Sequence, residues 1–138
     1  MASFNKFNSF VEALAEKVHN LGSDQLKVAL CAAANAPVAT NTQLSNLTQI
    51  SYTNLSARDI TTSASAQSSG TYKLTLTDLV LTASGGSAAA FRYVVLYNDT
   101  ATNDELIGWY DYGADLTLGN GESLTIDFDG TNGVLTLA

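Results

Sequence analysis

Residues 91–113, FRYVVLYNDTATNDELIGWYDYG, hold half of the chain's Phe, Tyr and Trp, including its one Trp. Aromatic side chains bury roughly 150–250 Å² each, so the element carrying them dictates where the rest must pack. Phe91, Tyr93, Val95 and Tyr97 alternate with Arg92, Val94 and Leu96, which leaves both faces of this run largely apolar. Such a strand belongs inside a sheet covered on both sides. Polar residues 98–104 make a turn, and residues 106–112 return with Ile107 and Trp109 on one face and Leu106, Tyr110 and Tyr112 on the other. Gly108 between them marks a bulge or the close approach of another backbone. This hairpin is expected to be the core, with Trp109 buried in it.

Upstream, Phe4, Phe7, Val11, Leu14, Val18 and Leu21 recur at spacings of three and four, the stripe of an amphipathic helix over residues 3–22. Ser3 or Asn5 is placed to cap its start and Gly22 to end it. His19 would then be exposed or sit in the last turn, beside the carbonyl end of the helix dipole. Leu26, Val28 and Leu30 alternate with Lys27, Ala29 and Cys31 as a half-buried strand. The pattern is lost over residues 33–46, which contain the only Pro, Pro37. An irregular stretch of that length in a compact domain is usually functional or flexible. Leu44, Leu47 and Ile50 suit one short helical turn.

Residues 52–66 are rich in Thr, Ser and Ala and read as a weak strand near a sheet edge. Tyr72, Leu74 and Leu76, then Leu79 to Ala83, read as one strand broken by a bulge. Ser84-Gly85-Gly86-Ser87, Gly119-Asn120-Gly121, Asp129-Gly130 and Asn132-Gly133 supply the remaining turns. About eight short strands with turn signals every 8–12 residues predict a mainly β fold, a β-sandwich or jelly-roll-like barrel with one N-terminal amphipathic helix. The 138 residues suit a single domain, with the helix over 3–22 and the β domain over 25–138.

Thirteen acidic against six basic residues give a net charge of −7, which repels a phosphate backbone and an anionic lipid surface alike. Neither nucleic acid nor membrane is an expected partner. No basic stretch precedes an apolar run at the N-terminus, so export is not expected. The sequons at Asn46, Asn54 and Asn98 are then chance products of an Asn-, Ser- and Thr-rich chain. Charged residues make up only 14%, a low share that suits a protein covering much of itself against neighbours.

The single His and single Cys, His19 and Cys31, cannot build a supported nucleophile or a zinc site, and no G-x-S-x-G elbow occurs. Cys31 reads as a small buried hydrophobe. No enzyme activity and no cofactor are expected. The best metal candidates are Asp127, Asp129 and Asn132, whose alternating oxygens resemble half of a calcium loop without its closing Glu; a tight turn explains them equally well. Trp109, Tyr110 and Tyr112 on a sheet face would be the platform of a sugar binder.

Taken together, FNKFNSFVEALAEKVHNLGSDQLKVAL at the start, the aromatic hairpin, and IDFDGTNGVLTLA at the end resemble a family of small virion structural proteins of tailed bacteriophages. The resemblance spans nearly the whole chain and implies no catalysis. It implies a capsid decoration, or cement, protein, made in the host cytoplasm and placed on the outer capsid surface of the virion, where it bridges major capsid protein subunits. A homo-oligomer would suit that task, a trimer on a three-fold axis included. The alternatives are a tail or neck component and a carbohydrate-binding module on the virion exterior. Phe4, Phe7 and Phe10, with Ala36, Pro37 and Val38 of the irregular loop, are the expected partner interface, because a self-contained sandwich explains them least.

Overall fold

A computed structural model describes residues 2–138. Its elements run β1 (Phe4–Lys6), α1 (Ser9–Ala15), β2 (Leu26–Cys31), β3 (Asp59–Ile60), β4 (Thr62–Ser68), β5 (Thr71–Leu76), β6 (Leu79–Thr82), β7 (Phe91–Asn98), β8 (Leu106–Leu116), β9 (Ser123–Ile126) and β10 (Leu135–Leu137). The fold is mainly β, as expected, and every strand pair is antiparallel. A five-stranded sheet, ordered β1-β8-β7-β2-β3, faces a three-stranded sheet, β10-β5-β4, and a two-stranded one, β6-β9, in a sandwich-like arrangement.

The aromatic hairpin, β7 and β8, forms the middle of the large sheet. On its inner face Leu26, Val28, Leu30, Val94, Leu96, Ile107 and Tyr110 meet Leu74, Leu76, Leu81, Ile126 and Phe128 from the smaller sheets. On its outer face Ala29, Cys31, Tyr93, Val95, Tyr97 and Leu106 are buried under Phe7, with Leu44, Leu47 and Trp109 packed beside them. Strand β7 is therefore apolar on both sides because both sides are covered. The cover differs: a second layer of strands inside, and only the N-terminal segment and the loop after β2 outside. Trp109 lies on that thinner side, which is why it is half-buried instead of enclosed, its ring centroid 4.6 Å from that of Phe7.

Both readings of Gly108 hold. Leu96 pairs with Gly108 and Tyr97 with Leu106, so Ile107 is the extra residue of a bulge. A Cβ on Gly108 would overlap the Phe4 ring and lie 2.6 Å from the Asn5 carbonyl oxygen.

That close approach explains the main correction. The helix expected over residues 3–22 is confined to Ser9–Ala15, and Phe4–Lys6 is a strand paired with Tyr110, Trp109 and Gly108 of β8. The free edge of β8 offers backbone partners to this segment, and Phe4 gains a tilted contact with Tyr110 at 5.1 Å, so tertiary pairing overrides a helical stripe. Gly22 does not end the helix. Lys17 does, at φ 69°, with the Val18 N–H reaching the Ala13 carbonyl at 2.9 Å, the six-to-one bond of a left-handed C-terminal cap. Val11 is 53% exposed, so the stripe is not one buried face.

Elsewhere, Leu44–Asn46 is the expected short helical turn. The weak strand comes later than residues 52–66 suggest, with Asn54 at φ 67° bending the chain first. Residues 71–83 form two strands in different sheets, separated at Asp78, whose carboxylate accepts the Phe128 N–H at 2.9 Å.

Candidate functional site

The end of β7 carries a buried polar cluster. Asn98 is fully buried and uses its whole amide: Oδ1 accepts the N–H groups of Thr100 (3.0 Å) and Ala101 (3.1 Å). Nδ2 donates to Asp24 Oδ2 (2.6 Å) and to His19 Nδ1 (3.0 Å). Two backbone donors on Oδ1 fix which end of the amide is nitrogen, and that in turn makes His19 Nδ1 the acceptor. His19 is therefore neutral with its proton on Nε2, which has no partner among the described residues. At 4% exposure His19 is neither on the surface nor in the helix, contrary to the sequence expectation. Burial lowers its pKa below the ordinary 6.5, outweighing Glu105 and Asp24, which raise it. The cluster closes the loop from α1 to β2 onto the turn after β7. With its side chain fully engaged, Asn98 offers no acceptor for glycosylation.

His19 also lines an open groove of about 590 Å³ between the end of α1 and the smaller sheet, with Leu14, Leu21, Tyr72 and Leu137 as its main apolar walls.

The predicted interface residues divide sharply. Phe7 and Phe10 are core, at 0% and 5% exposure, and Pro37 is buried as well, so none of these three is free to grip a partner. Phe4 is half-buried against Tyr110, while Ala36 and Val38 are exposed, Val38 at 53%. Phe7 turns inward onto the outer face of the large sheet, whose cover is thin, and Phe10 enters the core between the sheets. The structure does bring the two segments together: the Asn8 N–H donates to the Ala39 carbonyl at 2.9 Å. Val38 and Val11 are half-exposed aliphatics on these joined segments. The irregular loop points to Val38 as interface, but the helical periodicity places Val11 on a buried stripe. From Val28 to Ala57 the chain carries no charged residue, so the loop's part of this surface is neutral on a protein of net charge −7.

Asp127, Asp129 and Asn132 are brought together, but as a turn. Asp129 Oδ1 accepts the N–H groups of Thr131 and Asn132, its Oδ2 accepts Asn132 Nδ2 at 2.9 Å, and Asp127 Oδ1 accepts the Asp129 N–H at 2.8 Å. These bonds hold the Asp129 carboxyl below its usual range. Asp129 stands at φ 49° and Gly133 at φ 82°, the positive values a tight turn needs. No group of three or more acidic, His or Cys side chains suited to a metal occurs among the described residues.

Cys31 is fully buried, and desolvation pushes its thiol up to about 11. No described helix is long and apolar enough to cross a membrane. Comparison with protein families, curated proteins and solved structures finds no match for this chain.

Proposed function

We propose that the chain is a structural virion protein of a tailed phage, bound to the outside of the capsid and stabilising the shell by bridging major capsid protein subunits. The observation that carries this reading is the joined surface of the N-terminal segment and the loop after β2. It places exposed Val11, Ala36 and Val38 on segments tied at Asn8 and Ala39; the loop that carries Ala36 and Val38 has no charge, and Val11 lies beside Glu12 on α1. Exposed aliphatic groups beside a neutral loop suit burial against a protein shell, since the core of an interface is depleted in charge. The reading assigns no catalysis. Cys31 is a protonated thiol at neutral pH, and His19 is spent on Asn98.

The test uses Val11→Asp with Val38→Asp, both at exposed positions that leave the core intact. Losing two aliphatic contacts and burying carboxylates instead should weaken binding to shells assembled without the protein on the order of 100-fold. Melting of the free protein should not change. Undiminished occupancy by the double variant overturns the assignment of this surface. A copy number in particles far below that of the major capsid protein points instead to a tail or neck position.

A further inference from the structure

The edges of the three sheets are unequal. Strands β1, β3 and β10 have three, two and three residues, and β6 and β9 have four each. Several also carry or adjoin a charge: Lys6 in β1, Asp59 in β3, Asp78 before β6, and Glu122 and Asp127 flanking β9. Short strands and charges are the usual means by which a fold prevents its edges from pairing with another chain. Strand β4 has neither, and its one irregularity, a bulge at Ser63, lies at its start and leaves residues 64–68 regular. Its seven residues, TSASAQS, lie at the free edge of the β10-β5-β4 sheet, and no charged residue occurs from Ile60 to Tyr72.

The strand also stands clear of the sandwich. Ser63, Ala64, Ala66, Gln67 and Ser68 are exposed, and only Thr62 and Ser65 are half-buried. Its inner side pairs with β5 through Ser68 opposite Thr71, and no backbone hydrogen bond from residues 63–68 leaves that ladder among the described residues. Ser69 at φ 51° and Gly70 at φ 83° make the two-residue turn whose twist matches a hairpin, so the arm is held in extended form before any partner arrives.

We propose that β4 pairs antiparallel with β4 of a second copy of this chain, joining two three-stranded sheets into one of six strands across a two-fold axis. Two chains of net charge −7 repel each other, and the charge-free arm is the place where that opposition to pairing is least. Two properties then suit a second copy. Small side chains at Ser63, Ala64, Ser65 and Ala66 allow the same strand to face itself without steric conflict. The apolar groove lined by Leu21, Tyr72 and Leu137 borders the arm at Ser65, so a docked copy has area to cover beyond the ladder itself. This pairing does not depend on the capsid reading and is a property of the free protein.

Sedimentation of the purified full chain at about 100 µM measures the assembly directly, mass action favouring association at that concentration. The expected wild-type mass is twice 14.5 kDa. Ala64→Glu with Ala66→Glu, two exposed positions, puts like charges face to face across the axis and should return a single-chain mass. The circular dichroism and melting of diluted monomer should stay unchanged. A monomeric wild type, an assembly of any other size, or a dimer indifferent to the two glutamates overturns the proposal.

Discussion

Stability should fall with acid in a window set by His19. The imidazole is neutral in the folded chain, its Nδ1 accepting from Asn98 at 3.0 Å and its ring almost wholly buried. Protonation would place a second donor on Nδ1, facing the Asn98 amide donor, and charge a group that has little water. In the unfolded chain the same imidazole titrates near 6.5, while burial keeps the folded value lower. Below the unfolded value the unfolded state binds a proton that the folded state does not, so stability drops as the pH falls, and the loss ends at the folded-state pKa. Within the window the slope approaches 1.36 kcal/mol per pH unit, a sizeable share of a total typically near 5–15 kcal/mol. Asp111 and Asp129, whose carboxyls are held below the usual carboxylate range, lose their contribution only at more acid pH and do not obscure it. Urea titrations at pH steps between about 5 and 8 would give the slope, and His19→Gln, which keeps a polar group but cannot titrate there, should flatten it. Equal slopes in wild type and variant, or an NMR titration placing the His19 pKa above 6.5, would refute the assignment of the neutral, Asn98-bound tautomer.

Two further substitutions test local geometry. Gly108→Ala should cost about 1–3 kcal/mol by overpacking, because its Cβ would meet the Phe4 ring and the Asn5 carbonyl and push β1 off the sheet; hydrogen exchange at the β1 amides should quicken, and unchanged protection would contradict the close approach. Lys17→Gly should stabilise by about 0.5–1 kcal/mol, since a left-handed φ costs a side-chain-bearing residue more than glycine, and a lower melting temperature would mean that the Lys17 side chain contributes more than its backbone conformation costs.

What the sequence makes legible here is periodicity backed by turn chemistry. The β7–β8 hairpin, β2, the Gly108 bulge and the Asn132-Gly133 turn follow from local pattern, but not the faces at the start of β8: the extra residue Ile107 joins Tyr110 inside and Leu106 joins Trp109 outside, the reverse of the simple alternation. The N-terminal segment resists the same reading. Phe4 and Phe7 fit a helical stripe, yet Phe4 is fixed by the open edge of β8, opposite Tyr110, and Phe7 by the uncovered outer face of the large sheet, partners distant in sequence. His19 and Asn98 are likewise joined across the chain, and the only local sign of it is an amide closing a strand that is otherwise almost entirely apolar. The division of the interface candidates into inward Phe7, Phe10 and Pro37 and outward Ala36 and Val38 could not be read from composition, since all of them are apolar.

That division couples the proposed interface to the fold itself. The N-terminal segment and the loop after β2 are at once the lid over Tyr93, Val95 and Tyr97 and the support of Val11 and Val38. Removing residues 2–10 would therefore take Phe7 and Phe10 out of the core, and a loss of binding in such a truncation would report unfolding as much as contact. Substitutions at the outward positions separate the two effects. The converse also holds: a partner that grips Val11 and Val38 presses the same two segments onto the sheet they cover, so binding energy adds directly to the stability of the thinner side of the core. A small domain whose outer sheet face is covered only by loops gains most from such a partner, and a rigid shell would supply it.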